Sequence, residues 1–129
     1  LYGDAVLDSE KGFAILSGDQ LVSSLAINFG ASRIVMGGDV DGLFTADPKT
    51  CSSAQLIERV TLEELKSEKH MIEGSQSTDV TGGMLGKVRE LAPAIEHDIE
   101  TLIVNATKPM RVCKALKGET VVGTVIVKG

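Results

Sequence analysis

Aromatic residues are scarce in this chain of 129 residues, which has no tryptophan, one tyrosine and three phenylalanines. Because the apolar content, 43%, is ordinary for a globular protein, the core must be built mainly from valine, isoleucine, leucine and alanine. The length fits one domain that is large enough to bury a core of its own. The composition therefore predicts a single globular domain with an aliphatic interior.

Long apolar runs, metal-ligand spacings and basic blocks are also missing. No run approaches the roughly 18 residues that a membrane helix needs, and no signal peptide is visible. The two cysteines, Cys51 and Cys113, lie far apart, which is typical of reduced thiols in a cytoplasmic protein. The net charge of −5 argues against nucleic acid or an anionic membrane as a partner. We expect a cytoplasmic protein with no nucleic-acid partner, no membrane partner and no metal ligands of its own.

Strand and helix patterns alternate along the chain. Ser17–Gln20 and Thr61–Glu64 have capping-box spacing, so each pair predicts the start of a helix. Alternation of this kind predicts an α/β fold with a mostly parallel sheet that helices cover on both faces. The predicted elements are a hairpin over 1–16, a helix from 17 to Gly30, a strand over 32–37, a helix from 61 to about Lys69, a helix after Thr81 that Pro93 kinks or divides, a strand over 101–105, a helix over 108–117 and a strand over 123–127.

A glycine-rich acidic loop runs from Gly37 to Pro48, directly after the apolar run 34–36. Gly42 permits a sharp turn, and Asp47 is kept out of helix by the proline that follows it. Ligands of open α/β sheets bind beyond the carboxyl ends of the strands, so the loop is a candidate site for a ribose and base. An ordinary surface turn has the same composition, and the spacing alone leaves both interpretations open.

Gly18 and Asp19 fall in the first turn of the helix that Ser17 begins. The free N–H groups of a helix N-terminus suit an anion, and a glycine there lets a phosphate approach the backbone. An aspartate beside a phosphate is repulsive unless it organises lysines or a metal. Taken alone, the pattern favours the simpler alternative that Asp19 complements the helix dipole.

The run from Gly82 to Lys87 opens a second helix with glycines. It is not a Walker A motif, because its glycine spacing is one residue short and Val88 stands where a magnesium-binding hydroxyl would be. Lys87 lies one turn inside the helix, near enough to neutralise charge on a transferred phosphoryl group. The alternative is a lysine on the solvent face of an amphipathic helix.

Several segments, in this order and spacing, make the whole chain resemble the amino acid kinase family. Within the family, Tyr2-Gly3-Asp4 and the Asp-Val-Thr run that ends at Thr81 favour isopentenyl phosphate kinases over glutamate 5-kinases, which carry a similar loop. The segments are Leu1–Asp4, Gly12–Ile15, Ser17–Asp19, Gly38–Lys49 and Asp79–Val88.

The resemblance implies an αβα sandwich that transfers the γ-phosphate of ATP to isopentenyl phosphate, with Mg2+ accompanying the nucleotide. Phe44 stands where tyrosine is usual, so a hydrogen bond from that hydroxyl is lost, and Gly38 replaces a common threonine. The resemblance also implies a role for each matching position. Gly18 contacts the acceptor phosphate and Asp19 organises the lysines. Asp39 and Phe44 line the nucleoside pocket, Gly83 and Lys87 contact the ATP phosphates, and the same ATP-binding loop is shaped by Asp41, Gly42, Asp47 and Pro48.

The same resemblance implies an N-terminal half that supplies a glycine-rich phosphate loop, a histidine and the isoprenoid pocket. None of these is found in the 129 residues, which begin at Leu1 inside a strand-like pattern. We therefore expect the C-terminal nucleotide-binding half of such a kinase, inactive alone, paired with its other half and homodimeric at full length.

Two alternatives stay open. One is another kinase of the same fold, such as a glutamate 5-kinase or a fosfomycin-type kinase, because the acceptor is chosen outside these residues. The other is a non-catalytic nucleotide-binding module, which the joint presence of Asp19 and Lys87 disfavours.

Overall fold

A computed structural model of the chain describes residues 1–72 and 84–129. Strands and helices follow one another in the order that the sequence predicts, with one additional short strand. In chain order they are β1 (Asp4–Asp8), β2 (Gly12–Leu16), α1 (Gly18–Phe29), β3 (Arg33–Gly38), β4 (Arg59–Thr61), α2 (Leu62–Ile72), α3 (Met84–Glu96), β5 (Glu100–Asn105), α4 (Arg111–Leu116) and β6 (Gly123–Val127).

The central sheet has the strand order β3-β5-β6-β4, and β1 and β2 form a separate antiparallel hairpin. β3 pairs with β5 and β4 pairs with β6 in parallel, whereas β5 and β6 are antiparallel. The prediction of a mostly parallel sheet is therefore right for the outer pairings and differs at the centre. β3 and β5 run side by side, so their carboxyl ends lie at the same edge of the sheet.

Helices cover both faces of the central sheet, as the αβα prediction requires. Side chains of β3, β5 and β6 alternate between the faces, as the pleat dictates. Ile34, Ile103 and Ile126 pack with buried residues of α1 and α3 on one face. Leu102 and Val104 pack with Ala115 of α4 on the other. The core is aliphatic, as the composition indicates.

The predicted helix starts at Ser17 and Thr61 are confirmed in detail. The Ser17 hydroxyl accepts a hydrogen bond from the Gln20 N–H, and the Gln20 side chain accepts one from the Ser17 N–H, each at 3.2 Å. Thr61 and Glu64 make the same reciprocal pair. α1 ends at Gly30, whose φ of 62° is the left-handed conformation expected of a glycine C-cap.

Other boundaries differ from the predictions. α4 begins at Arg111 rather than at residue 108, because Pro109 disfavours helix at the residue before it and Met110 has a φ of 63°. α2 continues to Ile72, and α3 is not divided by Pro93, which lies in its last turn. The strand β4 was not predicted.

The predicted N-cap Thr81 and the predicted site residue Gly83 lie outside the described residues. In the part of the chain that the structure describes, no helix is both long enough and apolar enough to cross a membrane.

Candidate active site

The N-terminal end of α1 is fastened to α3. The Ser17 hydroxyl, besides capping α1, donates a hydrogen bond of 2.6 Å to a carboxylate oxygen of Glu90. Glu90 lies three residues after Lys87 on α3, so both side chains project from neighbouring turns of one face. The α1 cap therefore sets the place at which Lys87 and the first turn of α1 meet.

Lys87 and Asp19 are brought together there. The Lys87 Nζ lies 3.5 Å from an Asp19 carboxylate oxygen, although 68 residues separate them in sequence. The Asp19 side chain is 19% exposed and that of Lys87 is 52% exposed. An exposed ammonium held by a mostly buried carboxylate has donors free for a ligand. We call this pair the lysine end of the site.

Gly18 is packed against the first residues of the chain. A Cβ at Gly18 would lie 2.9 Å from the carbonyl oxygen of Leu1 and 3.3 Å from the nitrogen of Gly3. The glycine therefore has a packing reason to lack a side chain. Its contact with an acceptor phosphate stays a prediction.

The acidic loop of residues 37–48, whose first two residues end β3, forms the loop end of the site. Leu43 is 1% exposed, and its N–H donates a hydrogen bond of 2.8 Å to the Thr124 hydroxyl on β6. Thr124 in turn donates to the carbonyl of Ile57 at 2.6 Å. A Cβ at Gly42 would lie 3.0 Å from the Thr124 nitrogen and would overlap its hydroxyl. This close approach gives Gly42 a packing reason to lack a side chain.

Asp39 and Phe44, the predicted nucleoside contacts, flank this anchored segment. The Asp39 side chain is 77% exposed, with the Lys49 ammonium 3.9 Å away. Phe44 is half-buried and forms an isolated antiparallel bridge with Leu56. One residue that can hydrogen-bond a sugar hydroxyl and one flat aromatic face therefore stand on the same loop.

Asp47 and Pro48 close the loop with a turn. The Asp47 carboxylate accepts a hydrogen bond from the Lys49 N–H at 2.9 Å, and its carbonyl accepts from the Cys51 N–H at 2.8 Å. Both groups of Asp47 are therefore used within the turn, and a role of the pair in ATP binding stays a prediction.

Asp41 is part of a small polar cluster with Asn105 and Arg111. One of its carboxylate oxygens accepts hydrogen bonds from the Asn105 amide, at 3.2 Å, and from the Arg111 guanidinium. Burial raises the pKa of Asp41, but the hydrogen bonds from Arg111 and Asn105 and the charges of Arg111 and Lys108 outweigh it, so the pKa lies below its usual value. The Asp41 carboxylate is therefore ionised, and one of its oxygens accepts both hydrogen bonds.

The two ends of the site lie at the same edge of the sheet. A Cβ at Gly38, the last residue of β3, would lie 3.6 Å from the terminal methyl of Met84, the first residue of α3. The acidic loop begins where α3 begins, and Lys87 follows one turn later. A nucleotide with its base at the loop end would direct its phosphates toward the N-terminus of α3.

A metal ion bound by protein groups alone has no cluster to occupy here. Within residues 1–72 and 84–129, no three His, Cys, Asp or Glu side chains gather closely enough to form one. Mg2+ in phosphotransferases is bound largely by nucleotide phosphates and water, with one or two carboxylates.

Sequence reasoning did not single out Asn105, Arg111 or Thr124. Asn105 ends a strand beside β3, and the rule that ligands bind at carboxyl ends of strands was a signal that could have found it. Arg111 and Thr124 carry no local signal, since their partners lie in a distant part of the sequence.

Comparison with known proteins identifies the class to which this fold and site correspond. The model of the amino acid kinase family matches residues 1–105, so the chain belongs to the amino acid kinase family. A solved isopentenyl phosphate kinase superposes on 98% of this chain and 43% of its own, with a TM-score of 0.70 and 35% identity.

Curated kinases of two kinds are similar to most of this chain. The chain is 42% identical to an isopentenyl phosphate kinase of Methanothermobacter thermautotrophicus over 98% of this chain and 47% of that protein. It is 30% identical to a glutamate 5-kinase of Lactiplantibacillus plantarum over 89% of this chain and 42% of that protein. The chain thus spans about half the length of the relatives it matches.

Proposed function

We propose that this chain supplies the ATP-binding half of a kinase that phosphorylates isopentenyl phosphate to isopentenyl diphosphate in the cytoplasm. The observation that carries the proposal is the meeting of Lys87 and Asp19 at the edge of the sheet where the acidic loop begins. The similarity to isopentenyl phosphate kinases over nearly the whole chain supports the choice of acceptor.

Each residue has a defined part in this proposal. The nucleoside lies against Asp39 and Phe44, while Gly83 and Lys87 contact the phosphates. The acceptor phosphate is held near Gly18, and one of its oxygens forms a bond to the γ-phosphorus of ATP. The bond between the γ-phosphorus and the oxygen that bridges the β- and γ-phosphates breaks, and ADP leaves. Lys87 neutralises the charge that spreads over the transferred group, and Asp19 orients Lys87 for that task.

Magnesium enters with the nucleotide and supplies charge neutralisation across its phosphates. The described residues contribute at most a carboxylate or two, of which Asp19 is the nearest to the lysine. The resemblance assigns the remaining phosphate contacts and the isoprenoid pocket to a second half of the kinase. We propose that this chain pairs with that half, that it does not catalyse transfer alone, and that the full-length enzyme is a homodimer.

The chemical step is tested by completing the chain. This chain would be produced together with the part of the Methanothermobacter relative that it does not match, and transfer from γ-labelled ATP to isopentenyl phosphate would be measured. We expect labelled diphosphate from the complex and none from either piece. A folded complex that binds ATP and transfers nothing would instead favour the non-catalytic nucleotide-binding module.

The acceptor needs a separate experiment, because a hybrid takes its acceptor pocket from the relative. A panel of isopentenyl phosphate, glutamate and fosfomycin would be offered to the full-length protein that carries this chain. The proposal predicts turnover of isopentenyl phosphate. Turnover of glutamate alone would favour the second candidate function, that of a glutamate 5-kinase. The 30% identity to the glutamate 5-kinase of Lactiplantibacillus plantarum supports this alternative.

A further inference from the structure

The polar cluster beneath the acidic loop joins three separate elements. Asp41 lies in the loop, Asn105 ends β5 and Arg111 begins α4. Asn105 is 7% exposed, and besides donating to Asp41 it accepts hydrogen bonds from the N–H and hydroxyl of Thr107 at 3.0 and 2.6 Å. Its amide is therefore fixed in orientation, with its donor side aimed at the loop.

The neighbouring residues of the loop are fixed by a different set of contacts. Gly42 packs on Thr124, and the Leu43 N–H donates to the Thr124 hydroxyl. The segment 41–43 is thus held on one side by the Asn105–Arg111 pair and on the other by β6. Asp39, two residues earlier, has only a long contact of 3.9 Å to Lys49 among the described residues.

We infer that Asn105 and Arg111 are positioning residues for nucleotide binding: by holding the Asp41 carboxylate, they fix the loop so that Asp39 and Phe44 face the nucleoside. The inference rests on the proposed function, because it takes the loop to be the nucleoside site. It also gives Asp41 a structural role, since one of its carboxylate oxygens accepts hydrogen bonds from both residues.

A matched ion pair elsewhere in the sheet provides the control. Arg33 begins β3, its guanidinium lies 2.8 Å from a Glu100 carboxylate oxygen, and it donates to the carbonyl of Ala115 on α4. Arg33 and Arg111 are both half-buried arginines in an ion pair, and Arg33 lies at the end of β3 that is opposite to the loop. Loss of either pair removes one cation and one ion pair.

The experiment compares Arg111→Gln, Arg111→Lys and Arg33→Gln by two readouts. The first is amide hydrogen exchange at Leu43 and Thr45, two loop residues whose N–H groups donate to the Thr124 hydroxyl and the Gln55 carbonyl. The second is the Kd for Mg-ATP from calorimetry on the chain. Exchange needs no nucleotide, so it reports on the loop whatever the outcome for ATP.

For Arg111→Gln we expect about tenfold faster exchange at both amides and about a tenfold higher Kd, the order of effect of losing one charged hydrogen-bond partner. Arg111→Lys should restore part of the protection from exchange and part of the affinity for Mg-ATP. Arg33→Gln should leave both unchanged.

Equal loop exchange in Arg111→Gln and Arg33→Gln would overturn the inference, and so would faster exchange with an unaltered Kd. If the loop loosens only in Arg111→Gln while the original chain binds no ATP, the positioning of the loop by Arg111 stands and the nucleotide site of the proposed function fails.

Discussion

At the lysine end of the site, the exposed ammonium of Lys87 lies 3.5 Å from the Asp19 carboxylate. At the loop end, Leu43 is almost wholly buried and Asp41 accepts hydrogen bonds from two other elements. Binding of the nucleoside should therefore require little ordering of the chain, whereas the lysine responds when charge arrives. Under the proposed function, the comparison separates a preformed surface for the nucleoside from a lysine that acts on the transferred phosphoryl group.

The largest effect is expected at the lysine end, on turnover. In the completed kinase, Lys87→Ala should lower kcat about 10²–10³-fold, because it removes a cation from the site of developing charge. Initial rates with saturating ATP measure this.

Lys66→Ala is the matched control, since Lys66 is similarly exposed and pairs with Glu96 of α3 at 2.8 Å. Equal loss of kcat in the two variants would remove the distinction between the lysine end and an ordinary surface ion pair.

The next effect concerns stability at the loop end. Thr124→Val removes a hydroxyl that bonds both the Leu43 N–H and the Ile57 carbonyl, leaving buried groups unsatisfied. We expect the free energy of unfolding to fall by about 3 kcal/mol in urea titrations.

Thr101→Val on the neighbouring strand provides the comparison. Thr101 is equally buried, yet its hydroxyl has no hydrogen-bond partner in the described part of the chain. That substitution should be neutral or stabilising. A loss of stability as large as that of Thr124→Val would show that side-chain shape, not the hydrogen bonds to the loop, sets the effect.

A smaller effect depends on pH. The depressed pKa of Asp41 contributes stability that is present above the pKa of the unfolded chain, about 4, and that is lost as the pH falls through the lower folded value. Arg111→Gln should therefore cost about 1 kcal/mol at pH 7, a figure that allows for the partial exposure of the pair.

Urea titrations at several pH values should show this difference shrinking below about pH 4 as Asp41 is protonated in both proteins. A difference that stays constant down to pH 3 would mean that the ionised Asp41 is not what Arg111 stabilises.

The smallest effect is expected at Phe44. Phe44→Tyr restores the hydroxyl that the family usually has, and one net hydrogen bond would lower the Kd for nucleotide no more than about fivefold. Competition binding with ATP measures the change. A much larger gain in affinity would mean that the loop end is incomplete in this chain.

Local signals in the sequence were sufficient for most of the fold. Ser17 with Gln20, Thr61 with Glu64, and Gly30 mark helix ends through contacts between near neighbours, and the structure has them where predicted. β4 was not predicted because only Val60 of its three residues is buried, so the sequence has no alternating pattern there.

Contacts between residues far apart in the sequence could not be predicted from local patterns. The sequence predicted Asp41 and Gly42 as part of the loop, but Asn105 and Thr124, which hold them, come from strands near the end of the chain. The antiparallel pairing of β5 and β6 was not predicted either, because alternation of strands and helices predicts parallel neighbours. The helix between these strands, α4, is only 6 residues long.

The most direct test of the central claim is calorimetric titration of the 129-residue chain with Mg-ATP, beside Lys87→Ala and Lys66→Ala. The account predicts saturable binding that Lys87→Ala weakens and Lys66→Ala does not. A folded chain that binds no ATP, or that binds it equally well in all three forms, would contradict the claim that the lysine end and the loop end form one nucleotide site.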